Sequence, residues 1–246
     1  MWDSDTLHVL AVIFLATLIR SAFGFGEALV AVPLLALLIP VKVAAPLAAL
    51  VSVLVAAVIV AQDWRKIEMR SAAGLVASSL FGIPIGLFLL THMNERAMKM
   101  ILGLLIAGFS IYSLTAKIKL RLEKDHPAWL LGSGFCSGIL GGAYGMNGPP
   151  LAIYGALRRW SPQHFRATLQ GYFLPASLAG VIGYAAVGLL APAVTRYFML
   201  SLPVIAAAIM LGRALNRRLT GEGFFRCVYA SLIITGTILV LQAFKS

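Results

Sequence analysis

The sequence predicts an all-α integral membrane protein, and three observations carry that prediction. First, 60% of the 246 residues are hydrophobic and only 12% are charged, with a mean hydropathy of +0.92, far too apolar for a soluble domain of this length. Second, apolar runs of helical length recur between short polar breaks, as bilayer-spanning helices require. Third, the alternating ten-residue pattern of an outer-membrane barrel is missing.

The elements follow in order. Asp3 and Asp5 precede the first apolar run with no basic residue beside them, unlike the n-region of a cleaved signal peptide, so the N-terminus is expected to stay. Residues 7–40 are too long for one span and rather short for two, and Gly24-Phe25-Gly26 breaks them centrally. This predicts a hairpin of two half-helices. Ordinary spans are expected at 43–62, 71–91 and 97–115, each long enough to cross roughly 30 Å of hydrocarbon. Residues 128–157 pose the first problem again, broken by the glycine-rich run Gly141 to Pro150, and predict a second hairpin. Spans at 167–190, 194–213 and 225–243 complete the chain.

Charge placement orients these elements. The net charge of +11 comes in short basic clusters beside apolar spans, the pattern of cytoplasmic loops rather than of a nucleic-acid surface. If both hairpins re-enter, one side collects fourteen basic residues: Arg65, Lys66, Arg70, Lys117, Lys119, Arg121, Lys124, Arg158, Arg159, Arg166, Arg213, Arg217, Arg218 and Arg226. The other side holds Lys42, Arg96, Lys99, Arg196 and Lys245. A single crossing by the second hairpin would abolish this asymmetry, so both termini are expected outside.

At an offset of 119 residues Gly26 falls on Gly145, Phe25 on Tyr144 and Pro84 on Pro203, and each half reads as a hairpin followed by three spans. The expected architecture is therefore an inverted repeat: a first unit over 1–119 and a second over 120–246, each a glycine-broken re-entrant helical hairpin plus three transmembrane helices. Two tips entering from opposite faces would meet near the midplane, where non-helical backbone is tolerated only inside protein or along a cavity.

Such tips have anion chemistry. A half-helix starting near Glu27 or Asn147 leaves its first N–H groups unpaired and its dipole positive, glycine lets the backbone approach closely, and proline suits a first turn. The candidate substrate-binding residues are Arg20, Gly24, Phe25, Gly26 and Glu27 around the first break, and Tyr144, Gly145, Met146, Asn147, Gly148 and Pro149 around the second, with Gln170 reaching in from the following span. Phe25 and Tyr144 either gate the tips or fill space. Gly134, Gly138 and Gly142 recur every fourth residue and read as helix packing. Arg20 and Glu27 are ionisable at membrane depth, which demands compensation; they either pair with each other or serve transport, Arg20 through the substrate anion and Glu27 through a proton. Trp64, Trp129, Trp160 and Tyr197 read as interfacial belt residues. The four histidines form no cluster, and Cys136 and Cys227 lie apart as small packing residues. No metal site and no cofactor is expected.

The stretches "GFGEALVAVPLLALL" with "AQDWRKIE", and "GGAYGMNGPPLAIYGAL" with "FRATLQGYF", resemble the TauE/SafE family of membrane anion transporters, over essentially the whole chain. The second motif is the more specific. In the first, Glu27 and Ala28 stand where many members carry further glycines. The resemblance implies a secondary transporter that moves sulfite, organosulfonates or related small organic anions across a bacterial cytoplasmic membrane, often outward.

The expected partners are a small anion and the lipid bilayer, and a homo-oligomer is compatible with the chain. The leading expectation is an alternating-access carrier driven by an ion gradient. An intramembrane enzyme acting on a lipid phosphate would gather several acids, hydroxyls or histidines at the tips, where only Arg20 and Glu27 stand. A passive anion channel would differ from a carrier in lacking coupling to a gradient.

Overall fold

In the computed structural model the described residues are 4–63, 69–115, 127–216 and 222–245. They form ten α-helices: α1 Ser4–Phe23, α2 Glu27–Leu38, α3 Val41–Asp63, α4 Met69–His92, α5 Glu95–Thr115, α6 Pro127–Tyr144, α7 Gly148–Leu157, α8 Pro162–Ala186, α9 Pro192–Asn216 and α10 Glu222–Lys245. Five of them, α1, α3, α4, α5 and α9, contain stretches long and apolar enough to cross a bilayer. The chain is a multi-pass, all-helical membrane protein. Six helices coincide with the six ordinary spans expected from the sequence, and the two glycine-rich breaks fall between α1 and α2 and between α6 and α7.

The helices flanking each break are unequal, where the sequence predicted two half-helices. Helices α2 and α7 have 12 and 10 residues, about 18 Å and 15 Å at 1.5 Å per residue, and are half-length. Their partners α1 and α6 have 20 and 18 residues, about 30 Å and 27 Å. Helix α1 begins at Ser4, and Thr6 and Val9 are already buried, so the arm starts before residue 7.

Close approach between helices is set by glycine. Gly82, Gly86, Gly138 and Gly142 line the α4–α6 contact, where a Cβ on any of them would strike the facing backbone. The pairs Gly74 with Leu130, Gly82 with Gly138 and Gly86 with Gly142 advance together, so α4 and α6 run parallel. The packing role expected for Gly134, Gly138 and Gly142 is what the structure gives. Gly103 and Gly236 do the same between α5 and α10: a Cβ on each would lie 2.6 Å and 2.7 Å from the other's carbonyl oxygen. Between α1 and α9, a Cβ on Gly212 would lie 2.6 Å from Ser21 Cβ.

These contacts cross between the halves: α1 packs on α9 while α6 packs on α4, and α5 with α10, α3 with α8 and α4 with α8 form further large contacts. Helix ends recur 121 residues apart: α1 ends at Phe23 and α6 at Tyr144, α2 starts at Glu27 and α7 at Gly148, α3 at Val41 and α8 at Pro162. The sequence offset of 119 matched residue identities; backbone conformation pairs Gly24 with Gly145, both at positive φ, two residues away from that register.

Cys136 is exposed rather than packed. The side chain of Cys227, the basic residues Arg65, Lys66, Lys117, Lys119, Arg121, Lys124, Arg217 and Arg218, and Trp64 lie outside the described residues, as do the side chains of Arg70, Arg166 and Arg226.

Candidate functional site

The first break is built by glycine. Gly24 and Gly26 have φ of 88° and 95°, a left-handed conformation that side chains with a Cβ disfavour. It ends α1 and lets α2 begin at Glu27 in a new direction. The two charged residues of this region consequently face each other across the turn. Nη1 of Arg20, in the last turn of α1, donates to Oε2 of Glu27, in the first turn of α2, and also to Ser52 Oγ on α3 at 2.8 Å. Both side chains are 2% exposed. Mutual pairing is thus the compensation for burial. It is incomplete: Nε and Nη2 of Arg20 and Oε1 of Glu27 are buried without a hydrogen-bond partner. The ring of Phe173, on α8, lies 4.9 Å from the guanidinium carbon and takes up part of the cation's field. Ser52 Oγ continues to Ser177 Oγ at 3.2 Å.

The second break turns at Gly145, whose φ is 66° and whose absent Cβ would lie 2.5 Å from the Ala45 carbonyl oxygen of α3. Only glycine fits there. Asn147 precedes α7, but its side chain caps nothing. Its carbonyl instead accepts from the Ser137 hydroxyl on α6, which ties the tip back to its own long arm. Pro149 and Pro150 occupy the first turn. They suit that turn conformationally but contribute no N–H, so the second helix start offers fewer backbone donors than its position suggests, and Gly148 supplies the first one. A Cβ on Gly148 would meet nothing within 4 Å: this position borders open space.

Both breaks line one cavity of about 20 Å³, together with Ser52, Phe109, Ala152 and Phe173 from α3, α5, α7 and α8. That volume suffices for a single water-sized centre. Of the candidate residues from the sequence, Arg20, Phe25, Gly26, Glu27, Gly145, Asn147, Gly148 and Pro149 all line it. Four do not. Gly24 faces Gln170, whose Nε2 donates to the Gly24 carbonyl at 3.2 Å, so these two fasten the first tip to α8. Tyr144 points to α5, its hydroxyl donating to the Met98 carbonyl at 3.0 Å. Met146 is in the core, 1% exposed. Phe25 lines the cavity and also meets Phe165 edge-to-face at 5.5 Å. Trp160, expected at an interface, sits in this same aromatic group against Tyr154, His164 and Phe165.

The sequence reading missed Ser52, Phe109 and Phe173. Ser52 had a signal, a lone hydroxyl in the apolar run "AALVSVLVAAV". The two phenylalanines had none, since any apolar span residue looks alike until the helices are packed.

This arrangement holds one buried guanidinium, one carboxylate competing for it, an uncapped amide and a helix start, around a space shared by two chain breaks. It suits a small anion, held by charge and donors. The profile of the family described as "Sulfite exporter TauE/SafE" matches residues 9–239. A curated relative, named as a probable sulfite/organosulfonate exporter TauE of Cupriavidus necator, is 25% identical over 229 residues, which cover 92% of this chain and 89% of the relative. No solved structure matches the chain. The chain belongs to the sulfite exporter TauE/SafE family, a family of transporters and not of enzymes.

Proposed function

We propose that this protein is a secondary transporter that exports sulfite, an organosulfonate or a related small anion, binding it between the two glycine breaks. The observation that carries this reading is the state of Arg20: a cation buried in the cavity wall, with Nε and Nη2 lacking any partner. Burying unpaired donors of a guanidinium is costly, and an oxyanion would satisfy them in the bidentate manner that guanidinium geometry favours. Asn147 and the Gly148 N–H, across the cavity, complete a set of donors with an anion's requirements. Glu27 occupies Arg20 when no anion is present and yields part of it when one arrives.

Alternating access follows from an inverted repeat of units 1–119 and 120–246. The exchanged packing of α1 with α9 and α6 with α4, and the 121-residue recurrence of helix ends, support that repeat. With α2 and α7 only 12 and 10 residues long, about 18 Å and 15 Å, each break falls near the middle of a roughly 30 Å hydrocarbon layer when the longer α1 and α6 begin beyond its edge. This supports re-entrant hairpins with tips at the midplane, and the clustering of basic residues on one side supports both termini outside. The cavity, too small for an anion as it stands, corresponds to a closed state of that cycle.

The test is efflux of labelled sulfite and of a sulfonate panel from proteoliposomes, with and without a pH gradient. Saturable efflux lost in Asn147→Ala supports the reading; flux unchanged by Asn147→Ala and by Glu27→Gln removes the breaks from the transport path.

A further inference from the structure

A second cavity, of about 180 Å³, lies among the last turns of α5 and α7 and the first part of α10. Phe109 and Ala152 line it and the cavity at the breaks alike, so the two spaces share a wall at these residues. One water needs roughly 10–15 Å³ by this measure; the outer space therefore has room for a hydrated small anion and the inner one does not. Tyr112, Ser113 and Tyr229 bring three hydroxyls to its lining, a surface that suits water. Basic residues follow directly in the sequence, Lys117 after α5 and Arg158 and Arg159 after α7, and positive potential at the mouth of a cleft concentrates anions there.

The opposite face of the site is built differently. At the 121-residue recurrence of helix starts, Ala152 and Ile153 of α7 correspond to Ala31 and Val32 of α2. The α7 residues border the open cavity, whereas Ala31 is 4% exposed and Val32 not at all. The difference lies in α5 and α10, which approach each other closely at Gly103 and Gly236. Both pack on α2, and among the described residues neither packs comparably on α7. Val32 shares one apolar cluster with Leu102 and Ile106 of α5 and Leu232 of α10. Two equivalent half-helices are thus covered on one side of the site and uncovered on the other.

Resting on the binding site proposed above, we infer that the cavity beside α7 is the cytoplasmic vestibule of the transport path and that Phe109 is the gate between it and Arg20. The molecule is closed at the site and poised to open inward. The α5–α10 pair is the element that changes sides: moving from α2 toward α7, it shuts the vestibule and bares Val32. The gate moves with that pair, because the Phe109 ring meets Tyr229 of α10 edge-to-face at 6.0 Å and its carbonyl accepts from Ser113 at 2.8 Å.

The experiment follows thiol labelling of the full chain, carrying Cys136→Ala and Cys227→Ala, in right-side-out and inverted membrane vesicles with a membrane-impermeant sulfonated methanethiosulfonate. Ala156→Cys, in the vestibule, should react from the cytoplasmic face about tenfold faster than Val32→Cys does from either face, since a buried thiol reacts only when the structure opens. Comparable rates, or reaction of Ala156→Cys from the outer face, overturn the inference. Ser52→Cys, in the inner cavity, should react about tenfold faster from the cytoplasmic face once Phe109→Ala removes the gate; an unchanged rate overturns the inference too. If Phe109→Ala fails to reach the membrane, Phe109→Val is read in the same way, and the comparison of Ala156→Cys with Val32→Cys needs no change at Phe109. Saturating sulfite separates this inference from the binding site on which it rests. Faster labelling of Ser52→Cys in Phe109→Ala without protection by sulfite upholds the vestibule and refutes the site, whereas protection by sulfite with no effect of Phe109→Ala refutes the vestibule alone.

Discussion

Arg20 and Glu27 stand seven residues apart, on either side of the first glycine break, and pair directly through Nη1 and Oε2. Because α1 and α2 each contribute one partner, the pair holds the two arms at a fixed angle as well as neutralising two buried charges. Removing one partner strands the other. Arg20→Gln is expected to destabilise the protein by about 3–5 kcal/mol, while Arg20→Gln combined with Glu27→Gln costs less than that single change. Thermal unfolding of the three variants in one detergent measures this; strictly additive losses would show that the two groups are not energetically coupled.

Glycines at the second break and on its long arm should behave oppositely. A Cβ at Gly142 would strike the Ile83 carbonyl of α4, so Gly142→Ala should lower stability by about 1–3 kcal/mol through overpacking. At Gly148 a Cβ meets nothing within 4 Å, and alanine in a helical turn stabilises by up to about 1 kcal/mol. Gly148→Ala should therefore keep its melting temperature and lose at least tenfold in sulfite efflux, since the new methyl group stands in the cavity. Wild-type efflux from Gly148→Ala would mean that the cavity is not on the substrate's path.

Ser137 bears on the site through the backbone of Asn147, whose carbonyl it holds. Its loss removes one hydrogen bond, worth about 1 kcal/mol. Ser137→Ala is expected to raise the KM for sulfite efflux about fivefold, the equivalent of that energy, and Asn147→Ala by more. Equal KM values for wild type and Ser137→Ala would show that the tip keeps its position without the hydroxyl.

Much of this was legible before any fold was known. The lengths of apolar runs placed six helices, and the glycine clusters located both breaks, because left-handed backbone at Gly24, Gly26 and Gly145 leaves a mark in residue type. Arg20 and Glu27 stood out since a charge at membrane depth has to be compensated. Side-chain direction left no such mark. Tyr144, Met146 and Gln170 are neighbours of the second break in sequence or of the site in depth, yet the end of α6, the turn after it and the face of α8 direct them to α5, to the core and to Gly24. Phe109 and Phe173 reach the cavity only because α5 and α8 pack as they do. The proline pair misled in one respect: it fits a helix start, but it withholds the N–H groups that an anion would use.

The account stands on an anion lying between the two breaks. Selenite is an isosteric analogue of sulfite with a heavy scatterer, and the anomalous signal of selenium in crystals of the protein grown with it locates the anion directly. The account predicts a peak within hydrogen-bonding reach of Arg20, Asn147 and the Gly148 amide, with Glu27 displaced from part of the guanidinium. A fully occupied peak elsewhere in the protein, with Arg20 and Glu27 still paired as they are here, would contradict it.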